Sequence, residues 1–99
     1  MYKSVMTNLS QNLLNISCVR LSEEEIFDAL STYFNDLIQN DFNKLIALLY
    51  QMDVSEEKIR FKLAHPMTNE SAGAMLANEF ISREMEKMKW RERYKNGEL

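Results

Sequence analysis

The sequence has little punctuation and few reactive side chains. Two glycines and one proline occur in 99 residues. Tight hairpins draw on these residue types, so their scarcity disfavours a sheet of short strands and predicts helices with short connections. Cys18 is the only cysteine. It permits no intrachain disulfide, reads as a small buried hydrophobe, and makes a reducing cytoplasm the simplest setting. No apolar run approaches the roughly 18 residues of a membrane span, and the start of the chain lacks the apolar region of a secretory signal, so no membrane partner is expected.

The residues of common active sites are equally sparse. His65 is the only histidine, and Pro66 follows it. There is no Cys-x-x-Cys, His-x-x-x-His or Glu-x-x-His pairing, and neither glycine stands in a phosphate-cradling loop. The acidic pairs Glu23/Glu24 and Glu56/Glu57 stand at predicted helix starts, where the helix dipole favours carboxylates whatever the function. These absences predict a protein that is not an enzyme and has no cofactor, metal site or catalytic pair. The net charge of −3 and pI of about 5.2 exclude nucleic-acid binding through bulk charge and leave only a local basic patch for it.

What is present is a helical pattern. Hydrophobic residues make up 45% of the chain, with seven methionines and a mean hydropathy of −0.39. A chain of this size hides about 65% of its unfolded surface, enough for one core in a single domain. Val5, Leu9, Leu13 and Ile16 recur at helical spacing and predict a first helix over about 4–17. Ser22 and Glu25 have the spacing of a capping box, with Leu21 and Ile26 as its hydrophobic staple. They open a second helix, 22–39, whose apolar stripe runs Ile26, Phe27, Leu30, Tyr33, Phe34, Leu37, Ile38. The densest apolar run, Asp41 to Met52, predicts a third helix, 42–52, capped by Asn40 or Asp41 and buried at the centre of the domain. Val54-Ser55-Glu56-Glu57 repeats the start signal for a fourth, 55–64, with Lys58 where a full box has glutamate. Thr68-Asn69-Glu70-Ser71 starts a fifth, 69–95, ending at Asn96-Gly97. The expected fold is all-α, with a core of Ile26, Leu30, Phe34, Leu37, Leu45, Ile46, Leu49, Ile59, Leu63, Leu76, Phe80 and Ile81.

Two stretches bear on function. Leu49-x-x-Met52-Asp53-Val54-Ser55-x-x-Lys58-Ile59-x-x-x-Leu63 resembles a helix-turn-helix, in which a Leu-Gly-Val-Ser turn joins a positioning helix to a recognition helix. The resemblance covers about 15 residues. Leu49 stands where that family prefers alanine and Asp53 where it prefers glycine, and Glu56-Glu57 would face phosphate with like charge. The resemblance implies a nucleic-acid binder in which Arg60, Lys62, Lys89, Arg91 and Arg93 contact phosphates, with affinity that falls steeply with salt.

The other stretch is 83–95, the part of the fifth helix expected to overhang. It carries six cations against three acids, interleaved with Met85, Met88, Trp90 and Tyr94. At 100° per residue, Ala77, Phe80, Ile81, Met85 and Met88 share one arc, while Trp90 and Tyr94 lie roughly 120° away. Trp90 and Tyr94 either fold back on residues 1–20 or pack on a second molecule. The favoured expectation is a protein-interaction module, a homodimer or a binder of another protein, with Met85, Met88, Trp90 and Tyr94 at the interface.

Overall fold

In a computed structural model, residues 2–15, 20–65 and 69–95 are described, with side chains in the last helix as far as Arg93. Among them the chain forms five helices and no strand: α1 (Tyr2–Leu14), α2 (Glu23–Asn40), α3 (Phe42–Gln51), α4 (Glu56–Ala64) and α5 (Ala72–Lys95). The fold is all-α with a long C-terminal helix, as the composition predicts. No described helix is long and apolar enough to cross a membrane.

The helix starts follow their caps. Ser22 Oγ accepts from the Glu25 amide at 3.1 Å, and the Ser22 amide donates to Glu25 Oε1 at 3.1 Å, so the capping box is complete. Asp41, rather than Asn40, caps α3 by accepting from the Lys44 amide, and Ser55 caps α4 by accepting from Lys58. Two boundaries lie three residues from expectation, and the others fall within two. α1 ends at Leu14 because Asn15 takes a left-handed conformation, φ 55°, that stops the helix. α5 begins three residues late because Ser71 is its cap, accepting from the Ala74 amide at 3.1 Å. Ile16, Ser17, Cys18, Pro66, Thr68, Asn96 and Gly97 lie outside the described residues.

Ten of the twelve expected core residues are buried; Ile46 and Leu63 sit half-buried at the margin because their helices have solvent on that side. Val5, Met6 and Leu9 of α1, with Leu48, Val54 and Ala77, complete the buried set. The expectation that α3 is the central helix fails. Ala47 is exposed and Tyr50 is 71% exposed, while α2 packs against α1, α3 and α5. The longer apolar face of α2 can cover three neighbours; the ten residues of α3 cannot.

The most extensive helix contact is between α2 and α5. Phe34 and Phe80 stack with ring centres 4.7 Å apart. Towards its N-terminus α5 comes so close that a Cβ on Gly73 would lie 2.1 Å from the Ser31 carbonyl oxygen and 2.5 Å from the Asn35 side chain. The approach lets Asn35 Oδ1 accept from the Gly73 amide at 2.8 Å, satisfying one of the free N–H groups at the start of a helix.

Gly73→Ala is therefore expected to destabilise by about 2 kcal/mol or more, although in an exposed helix the same change stabilises by about 1 kcal/mol. Thermal unfolding should show a midpoint lower by roughly 8 °C or more; an unchanged or higher midpoint contradicts the close approach. Ser10 Oγ is fully buried with no hydrogen-bond partner among the described residues. Ser10→Ala is expected to raise stability by about 1 kcal/mol in the same assay, because an unpaired hydroxyl is costly to bury.

Candidate interaction surface on the last helix

The middle of α5 is held to its neighbours by charge. Glu79, with a side chain 13% exposed, pairs with both Lys58 (3.3 Å) and Lys62 of α4. Burial opposes ionisation of Glu79, but hydrogen bonds from Lys62 and Lys58, together with their charges, outweigh it and hold the carboxyl below its ordinary value. One turn on, α5 meets the end of α3. There the Val54 amide donates to the Leu49 carbonyl (2.8 Å) and the Asp53 amide to Tyr50 (3.2 Å), with Asp53 left-handed at φ 57°. This is a Schellman end with aspartate in the position usually given to glycine.

Two cations of α5 complete that end. Arg83 Nε donates to the Asp53 carbonyl at 2.9 Å and Arg83 Nη2 to the Asp53 carboxylate at 2.5 Å. Lys87 Nζ donates to the Met52 carbonyl at 2.6 Å. Cations are favourable there because the α3 dipole is negative at its C-terminus. Hydrogen bonds from Arg83 to Asp53 and Glu86 hold the guanidinium charged. Met85 and Met88 are half-buried against the core.

The overhang is consequently shorter than the expected 83–95. It begins at Lys89, after which every described side chain of α5 is exposed. The 24 residues of α5 span about 36 Å, more than the 34 and 25 Å of the two shorter molecular dimensions. Residues 89–95 carry four cations against one acid, a net +3. Trp90 is 56% exposed, with the Arg93 guanidinium 5.8 Å from its ring centre. Glu86, Lys89, Trp90 and Arg93 form one shallow hollow along the helix. On another flank, Met88 and Arg91 border a hollow with Asn8 and Asn12 of α1.

Of the residues singled out for an interface, Trp90 is the one presented to solvent, while Met85 and Met88 face the molecule's own core. The side chain of Tyr94 lies outside those described. A short turn joins α3 to α4 where the sequence resembles a helix-turn-helix; there Arg60 pairs with Glu56 (3.1 Å) and lies over the Phe42 ring, and Lys62 pairs with Glu79. Tyr50 hydroxyl also reaches Glu56, at 3.3 Å. His65 stacks on Phe61 with ring centres 4.5 Å apart. No group of three His, Cys, Asp or Glu among the described residues is placed to hold a metal. The ties made by Glu79, Arg83 and Lys87 were not anticipated; alternating charge on a helix that also carries an apolar stripe is their only trace in the sequence. Compared with protein-family models, curated proteins and solved structures, the chain matches none.

A carboxyl whose pKa is lowered by folding contributes stability that is complete above its unfolded value, here 4.5, and is lost as pH falls through the folded value. Glu79→Gln is expected to be less stable than wild type by about 1 kcal/mol at neutral pH. Denaturant titrations should find that difference shrinking towards zero below pH 4.5. A difference independent of pH contradicts the paired-lysine account.

Proposed function

We propose that the protein is a non-enzymatic protein-interaction module that self-associates through the overhanging end of α5. The observation that carries this reading is Trp90, more than half exposed on a stretch of helix whose described side chains are all exposed. Tryptophan and arginine are the side chains that most often anchor protein interfaces. Here they stand on a helix whose root is fixed by Arg83, Lys87, Met85 and Met88, so the surface is presented in one direction. Preorganisation of that kind lowers the entropic cost of binding. A reducing, cytoplasmic setting belongs to this reading on the strength of the single cysteine.

Nucleic-acid binding is the second reading, and the net +3 of residues 89–95 is the observation in its favour. Lys89, Arg91 and Arg93 would contact phosphates. Arg60 and Lys62 support it poorly, since each is already paired with a glutamate.

Trp90 is the only tryptophan, so its fluorescence reports this surface alone. Emission is expected to move to shorter wavelength as protein concentration rises, in step with an increase in light-scattering mass. Trp90→Ala should remain monomeric with unchanged helical circular dichroism. A wild-type mass that stays monomeric at all concentrations contradicts self-association. Tight oligonucleotide binding that weakens steeply with salt would favour the second reading instead.

A further inference from the structure

The hollow on the overhang has an order that the proposed self-association does not by itself explain. Its residues, Glu86, Lys89, Trp90 and Arg93, are spaced symmetrically about a point between Lys89 and Trp90. Two copies of this stretch laid antiparallel about that point bring Glu86 of each copy opposite Arg93 of the other. The same register sets Lys89 of each copy against Trp90 of the other. Both contacts then occur twice, once on each side of a two-fold axis, which is the self-complementarity a closed dimer requires.

We infer that the dimer forms by antiparallel pairing of the α5 ends in this register, with a second copy of the chain as the occupant of the Trp90 hollow. The inference rests on the self-association proposed above and specifies its geometry. Charge complementarity selects it. Parallel pairing sets Glu86 against Glu86 and Arg93 against Arg93, like against like, whereas antiparallel pairing joins acid to base at both ends.

The groups are exposed, and Arg93, 5.8 Å from the ring centre of its own Trp90, turns from that ring to meet the second copy's Glu86. The Glu86 side chain is 63% exposed and, among the described residues, pairs with Arg83 of its own helix at 3.0 Å, leaving acceptor capacity on the carboxylate. Lys89 and Arg93 are exposed, and the exposed Trp90 ring can receive the second copy's Lys89 on its face. About two helical turns per copy bury a small area, below the roughly 1,200 Å² of standard interfaces. The dimer should accordingly be weak and weaken further with salt.

Charge reversal in the full-length chain, read by sedimentation equilibrium, tests the register. Glu86→Arg sets cation against cation at both acid–base contacts, and Arg93→Glu sets acid against acid. Each variant alone is expected to dimerise at least about tenfold more weakly than wild type, because the symmetry repeats every changed contact. An equimolar mixture of the two restores both acid–base pairs and should associate about as well as wild type, as should the double variant Glu86→Arg/Arg93→Glu. If wild type dimerises and the single variants match it, or if the mixture stays monomeric, the register is overturned while self-association stands. If wild type itself is monomeric in the same cell, the self-association reading falls too.

Discussion

The close crossing of α2 and α5 at Gly73 is the constraint on which the rest of the structure depends. Helix backbones approach this closely only where a side chain is missing, and a Cβ at position 73 would sit 2.1 Å from a backbone oxygen of α2. The approach brings the Asn35 side chain to the free amides at the start of α5, and further along it sets Phe34 on Phe80. Polar and apolar contacts thus fix the same helix pair, one at its end and one at its middle. α2 also carries α1 and α3, so the path taken by α5 follows from this crossing.

Down the length of α5 the kind of contact changes in a definite order. It begins with a backbone amide on Asn35, runs through Leu76, Ala77, Phe80 and Ile81 in the core while Glu79 pairs with α4 alongside them, and then turns to carbonyl caps from Arg83 and Lys87. Isolated surface ion pairs contribute little, but Arg83 and Lys87 meet carbonyls at a helix C-terminus, where a cation is doubly favoured by hydrogen bonding and by the dipole. They hold the helix in place to its last packed turn. Beyond Met88 every described side chain is exposed, and the residues there change to cations around a tryptophan.

Much of this was legible in the sequence. The capping box at Ser22 and the stripe through Ile26, Leu30, Phe34 and Leu37 located α2, because caps and periodicity are local signals. The prominence given to Asp41–Met52 was misplaced for an instructive reason: apolar density measures how much of a helix wants cover, not how many neighbours reach it. Gly73 carried the missing information. An isolated glycine in a helical pattern is costly unless a neighbour approaches closely, but no local rule says which neighbour. Asn35 lies 38 residues away. The overhang was legible from length and from the shift of apolar face at Trp90. Its start at Lys89 depended on Arg83 and Lys87 reaching α3, and pairings between distant charges leave no periodicity to read.

At Met88 α5 passes from a part held by the molecule's own core to an exposed part that, under the proposed self-association, pairs with a second copy. Amide hydrogen exchange, followed across α5 at low and at high protein concentration, addresses that division most directly. Strong protection is expected over 72–88 at both concentrations, with protection over 89–95 that is weak when dilute and rises with concentration. Protection over 89–95 that is the same at both concentrations, or a rise that appears on another helix instead, would contradict that division.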